Sequence, residues 1–195
     1  KLALRESPLL LMEFHGSTAA VREQAEQAQG IAVDNGGGGF EWATQPEDRS
    51  RLWQARHMAY FALLQLRPGA RSVTTDVCVP ISRLTECIEQ TRLDLETSGL
   101  ETAMIGHVGD GNFHVLILVG PDDPSERVRA EAANDRLTER AIALGGTCTG
   151  EHGIGLHKMR FLERERDPAT LDLMRSIKRA LDPRNILNPG KIFSL

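Results

Sequence analysis

Cysteine is scarce in this sequence: Cys78, Cys87 and Cys148 are the whole complement among 195 residues. An odd number at wide spacing argues against a disulfide framework and fits a reducing compartment. The chain therefore reads as cytoplasmic, or peripheral to a membrane. Cys78 and Cys87 read as small core residues. Positive charge is in deficit too. With a net charge of -4 there is no basic field to attract nucleic acid, and no such partner is expected. Long apolar runs are missing. None reaches the roughly 18 residues that a membrane span requires, and HVLILV at 114–119 has strand length. No Lys-Ser or Lys-Thr follows the NGGGG stretch at 35–39, so it reads as a connection, not a phosphate-binding loop. No phosphate-binding βαβ signature occurs elsewhere. The opening KLALRESPLLLMEF has too short an apolar run for a signal peptide. The first residue is not Met, which suggests a fragment or processed chain.

What is present is an ordinary globular composition, 41% hydrophobic and 26% charged, long enough for one core or two small ones. Residues 9–14 read as a buried strand, 17–29 as a helix stopped by Gly30, and IAVD as a second short strand. The next helix is expected over 47–66, with Leu52, Ala59, Leu63 and Leu66 at helical spacing and Arg56 on the same stripe. An arginine there either snorkels or meets an anion. RSVTTDVCV at 71–79 reads as a strand closed by Pro80. A helix over 81–97 carries Leu84, Cys87, Ile88, Thr91 and Leu95 on one face. Strands follow at 102–108 and 113–119. A helix near 125–144 turns Ala130, Ala133, Leu137, Ala141 and Leu144 inward, and another at 168–181 presents Leu171, Met174, Ile177 and Leu181. The expected class is α+β, an antiparallel or mixed sheet with helices on one face.

The stretch GHVGDGNFH at 106–114 carries the chemistry. Asp-Gly is favoured at the centre of a two-residue hairpin turn. With Asp110 and Gly111 there, His107 falls opposite His114, on one sheet face and within reach of one ion. Simple hydrogen-bonding histidines are the plain alternative. TGEHGIG at 149–155 offers a third ligand in Glu151, and two imidazoles with a carboxylate suit a divalent ion with an open position. Cys148, His157 and His15 are further candidates, each read as structural when taken alone. His152, beside Glu151, is free to act as a general base. Arg56, if it reaches the same cleft, would fork a substrate carboxylate. Metal, base and arginine together suit a 2-hydroxy acid.

GHVGDGNFH, TGEHGIG and LDPRNILNPGKIF, in this order, resemble the C-terminal part of FAD-linked D-2-hydroxy-acid oxidases and dehydrogenases. LWQARHMAYFALLQLRPG and TTDVCVPISRL resemble the cytochrome-linked D-lactate dehydrogenases especially. The resemblance covers nearly the whole chain. It implies a ferredoxin-like substrate or cap domain of the vanillyl-alcohol-oxidase type over 1–181. It also implies a tail, 182–195, that returns to an FAD-binding domain absent from this sequence. It implies a divalent metal, Zn or Mn, held by His107, His114 and Glu151, with His152 as catalytic base. Arg56 would bind the substrate carboxylate, Asn112 would lie near the substrate and Asn188 beside the flavin.

The same resemblance implies oxidation of the hydroxy acid to a 2-oxo acid. FAD would accept the hydride, and a quinone, cytochrome or electron-transfer protein would then take the electrons. D-2-hydroxyglutarate dehydrogenases carry a Lys where this chain has Thr74-Thr75-Asp76, and a Thr where it has Tyr60. Both departures favour a small substrate such as D-lactate, with Tyr60 among the substrate-binding residues. Glycolate oxidation, or a metal-binding module without redox activity, are the other readings. The 195 residues alone are expected to be inactive and to self-associate through an uncovered apolar face.

Overall fold

The computed structural model describes residues 7–195. They form two units, one through Ala62 and one from Leu63 to Leu195. The first holds α1 (Thr18–Asp34) and α2 (Pro46–His57), and α3 (Ala59–Leu64) leads into the second. Ser17 caps α1 by accepting the Ala20 N–H on its hydroxyl. The strand expected at 9–14 is not formed: Leu9, Leu10 and Met12 are exposed, and no neighbouring strand pairs with them among the described residues. A lone strand leaves its backbone groups without partners. IAVD is helical instead, as the last turn of α1, and the Asn35 side chain closes it by donating to the Ile31 carbonyl. A four-residue apolar run carries too little periodicity to separate strand from helix. Gly30 sits inside this helix, at a cost of about 1 kcal/mol relative to alanine. The single helix expected over 47–66 breaks at Met58 into α2 and α3.

In the second unit the sheet is built around β4 (Asn112–Val119), every residue of which is buried. β3 (Glu101–His107) runs antiparallel along one side, and β1 (Arg71–Thr74) and β2 (Val77–Cys78) lie along the other. Thr74 pairs with Leu116 and Val77 with Phe113, so β1 and β2 keep one register across the Thr75-Asp76 interruption. Alternation along β4 sends Phe113, Val115, Ile117 and Val119 into a core with α4 (Ile81–Glu96) and α5 (Pro124–Ala143). The inward residues of these helices are those the periodicity selects: Leu84, Cys87 and Leu95 on α4, and Ala130, Ala133, Leu137 and Ala141 on α5. Asn112 and His114 consequently point to the face away from α4 and α5. The α+β class, with an antiparallel sheet and helices on one face, holds.

The hairpin between β3 and β4 differs from the two-residue turn. Val108–Asp110 form a short 3-10 turn, and Gly111 follows in the left-handed region at φ 75°. His107 pairs with Asn112, and His114 pairs with Ile105. His107 and His114 are therefore diagonal neighbours instead of direct opposites. A shift of two residues preserves the face, so both still project from the same side.

After α5 come α6 (Met159–Glu165) and α7 (Pro168–Leu181). Leu171 of α7 is buried with Leu162 and Phe193, and Met174 packs beside them, but Ile177 and Leu181 are exposed. Segment 182–195 folds back on α7: Arg175 donates to the Ser194 carbonyl at 2.8 Å, and Asp182 accepts the Ile186 and Leu187 N–H groups.

Two predictions follow from this frame. Asp94 of α4 is gripped by Arg136 at 3.0 Å and Arg140 at 3.3 Å from α5. Burial acts to raise the Asp94 carboxyl, but the bonds and charges of Arg136 and Arg140 outweigh it and hold the group below its ordinary 3.8. The resulting stabilisation is present above about pH 4 and fades as pH falls through the folded-state value. Asp94→Asn should cost about 1–2 kcal/mol at neutral pH, with the deficit shrinking below about pH 4. Urea unfolding across pH would measure it. A Cβ at Gly111 would lie 2.0 Å from the Val79 carbonyl oxygen. Gly111→Ala should therefore destabilise by about 1–3 kcal/mol, read as a lowered Tm.

Candidate metal centre

RSVTTDVCV places an aspartate in the buried interruption between β1 and β2, where a charge needs partners. Asp76 is 1% exposed, and it finds them in the TGEHG loop. Its carboxylate accepts the Thr149 hydroxyl at 2.8 Å and the backbone N–H groups of Gly150 at 3.0 Å, Glu151 at 3.1 Å and His152 at 2.8 Å. Lys158 donates to the Asp76 carbonyl at 2.7 Å and approaches its carboxylate at 3.3 Å. Consecutive amides converging on one anion form a nest. Burial pushes the Asp76 carboxyl upward, but the His152 N–H, the Thr149 hydroxyl, the Lys158 charge and the Glu151 N–H override it and hold the group far below the usual carboxylate range. Gly150 permits the close approach, since a Cβ there would fall 1.8 Å from the Asn112 amide nitrogen.

Thr75 orders the opposite side. Its hydroxyl, in place of its carbonyl, accepts the Val115 N–H at 2.8 Å. The carbonyl is thereby released from the strand ladder and takes the His114 ring at Nδ1, 3.0 Å away. A carbonyl only accepts, so Nδ1 carries a proton, and in the neutral ring Nε2 presents a lone pair. That Nε2 lies 3.7 Å from Glu151 Oε1, and His107 Nε2 lies 3.6 Å from the same oxygen. A lone pair facing a carboxylate is unfavourable unless a cation or a proton lies between them. Two imidazole nitrogens thus approach one carboxylate oxygen, residue types that can ligate a divalent ion, although His107, His114 and Glu151 do not bring their ligand atoms mutually within 4.8 Å. His114 is buried, whereas His107 and Glu151 are open to solvent, which leaves room for a further ligand.

The structure thus brings together His107, His114 and Glu151, with His152 beside them. The His152 ring stacks on His114 at 5.3 Å and 13°, and its Nδ1 is 3.9 Å from Asp76. Asp76, His114 and His152 also offer atoms within 4.8 Å of one another. The Asp76 oxygens, however, are already engaged by the loop donors. Asn112 is buried beneath the cluster. Its amide nitrogen faces Asp76 at 3.4 Å, and its Oδ1 has no hydrogen-bond partner among the described residues. Exchanging the two amide atoms would set oxygen against the Asp76 carboxylate, so the orientation is determined.

Other candidates fall elsewhere. Cys148 is fully buried, and its thiol is pushed up to about 12 by burial and by the bond and charge of Glu165. It is no ready metal ligand, which would have to be a thiolate. His157 is exposed, and His15 lies near Glu13 in the N-terminal unit. Arg56 on α2 and Tyr60 on α3 also belong to that unit, both half-buried. Asn188 sits in a left-handed turn and accepts from Lys191. The residues that sequence reasoning passed over are Thr75, Thr149 and Lys158, together with the anchoring part of Asp76. The available signal was an aspartate, Asp76, directly before the apolar run Val77-Cys78-Val79.

Comparison with known proteins agrees with the motifs. Residues 1–192 match the family model of FAD linked oxidases, C-terminal domain. A probable mitochondrial D-lactate dehydrogenase of Danio rerio is 48% identical over 194 residues, covering 100% of this chain and 39% of that protein. The mitochondrial D-lactate dehydrogenase [cytochrome] of Arabidopsis thaliana is 42% identical, over 97% of this chain and 33% of its own length. Glycolate oxidase subunit GlcD of Bacillus subtilis is 34% identical over 95% of this chain and 39% of that subunit. The chain spans well under half the length of these relatives. The cytoplasmic location expected from cysteine content is overturned, because the D-lactate dehydrogenases of Danio rerio and Arabidopsis thaliana are mitochondrial. Three reduced cysteines do not distinguish one reducing compartment from another. Among the described residues, no helix is long and apolar enough to cross a membrane. With its motifs, its α+β sheet and a match running through residue 192, the chain belongs to the FAD-linked oxidase family, as its C-terminal domain.

Proposed function

We propose that this chain forms the metal- and substrate-binding part of an FAD-dependent dehydrogenase that oxidises D-lactate to its 2-oxo acid. The observation that supports it most is the Glu151 carboxylate oxygen lying 3.6 Å and 3.7 Å from the Nε2 atoms of His107 and His114. These three side chains would hold a divalent ion. When bound, the ion would polarise the substrate hydroxyl and a flavin would supply the hydride acceptor. Arg56 would fork the substrate carboxylate. Tyr60, where dicarboxylate-specific relatives hold a threonine, would be a further substrate-binding residue that favours a small side chain. His152 would take the hydroxyl proton at Nε2, because its Nδ1 is the nitrogen turned toward the Asp76 carboxylate, 3.9 Å away. Asn112 would support the cluster from below and Asn188 would lie toward the flavin. A cytochrome is the proposed electron acceptor, by similarity to the cytochrome-named relative.

A second reading places the ion on Asp76, His114 and His152, whose ligand atoms lie within 4.8 Å of one another. Metal content separates the two. In the intact protein, elemental analysis should find close to one equivalent of divalent metal. The double variant His107→Ala, His114→Ala and the single variant Glu151→Gln should lose it, whereas His152→Gln should retain it. Retention in Glu151→Gln with loss in His152→Gln would favour the second reading.

Turnover should be higher with D-lactate than with glycolate or D-2-hydroxyglutarate, compared as kcat/KM under one electron acceptor. A preference for glycolate would move the assignment toward the glycolate oxidase relatives. Arg56→Lys should lower kcat/KM by about 10- to 100-fold through loss of the bidentate fork, and unchanged kinetics would remove Arg56 from the site.

A further inference from the structure

We propose that Asp76, with Thr75 before it, is the positioning residue that sets the two halves of the metal centre against each other. The inference rests on the metal reading above and goes beyond its ligand set. Thr75 and Asp76 occupy the interruption between β1 and β2, where register is kept but the ladder is diverted. On one side of that point, the Thr75 carbonyl fixes His114 through Nδ1 at 3.0 Å. On the other, the Asp76 carboxylate holds the N–H groups of Gly150, Glu151 and His152. One dipeptide therefore determines both where the His114 lone pair points and where the Glu151 backbone begins.

Thr149 closes the loop. Its hydroxyl donates to Asp76 at 2.8 Å and accepts the Gly153 N–H at 2.8 Å. It thus ties both ends of the 149–153 turn to the same carboxylate. Lys158 reaches in from beside α6 and is only 13% exposed. It meets the carbonyl as well as the carboxylate of Asp76, so the buried anion has a cationic partner. The Glu151 carboxylate is left free to face His107 and His114. Partners of this kind, one step removed from an ion, orient its ligands, and their loss weakens metal affinity by about 10- to 100-fold.

The test uses Mn(II) binding by the intact protein, followed by electron paramagnetic resonance, together with amide hydrogen exchange over residues 150–152. His107→Ala serves as the control for the metal reading itself. Asp76→Asn should weaken Mn(II) binding by about 10- to 100-fold and speed exchange at those three amides, while circular dichroism still reports the parent helix content. Thr149→Val, which keeps the size but removes the hydroxyl, should weaken binding by about 10-fold, and Thr149→Ser should restore it. A folded Asp76→Asn protein that binds Mn(II) as tightly as the parent would overturn the proposal. If Asp76→Asn does not fold, equal affinity in the valine and serine variants would overturn it instead. If the parent takes up no Mn(II), the metal reading fails by itself. The exchange rates in Thr149→Val against Thr149→Ser then decide whether Asp76 holds the loop.

Discussion

A buried carboxylate with its charge met by backbone amides is the contact on which this site depends. Asp76 is almost wholly withdrawn from water, a position an ionised group tolerates only with dense hydrogen bonding. The donors come from four successive residues, 149–152, and from Lys158. Two distant parts of the chain thereby become one structure. The TGEHG loop has no regular secondary structure of its own, and the anion supplies the order that a helix or ladder supplies elsewhere.

The sheet makes that contact productive. β4 is buried along its whole length, and its period of two divides labour between faces. One face carries Phe113, Val115, Ile117 and Val119 into the core with α4 and α5. The other carries Asn112 and His114 toward Asp76 and the loop. Packing against the helices fixes the strand, and the fixed strand gives His114 a defined direction. His107 arrives from β3 on the same face, and Glu151 arrives from the loop. Rigid elements thus supply the imidazoles, and an anchored turn supplies the carboxylate.

Much of this could be read from residue order. The helical spacing of Leu84, Cys87, Thr91 and Leu95 selected the buried face of α4, and GHVGDGNFH announced a hairpin with two histidines on one face. The exact turn was not legible, because Asp-Gly is compatible with more than one loop length. The 3-10 turn at Val108–Asp110 lengthened the connection and shifted the register by two residues. That shift leaves the face unchanged, so His107 and His114 still project from one side of the sheet. IAVD and the LLLMEF stretch misled because short apolar runs look alike whether they end a helix, form a strand or lie in the open. The anchoring role of Asp76 was not legible in the sequence. Its loop partners lie more than 70 residues away, and local pattern cannot name contacts at that separation.

The most direct measurement is a crystal structure of the intact protein with Mn(II) or Zn(II), located by anomalous diffraction. Taking zinc distances as the guide, the account predicts one ion about 2.0–2.2 Å from His107 Nε2, His114 Nε2 and a Glu151 carboxylate oxygen, with Asp76 still holding the loop amides. An ion coordinated by Asp76 and His152, with the 150–152 amides released, would contradict it.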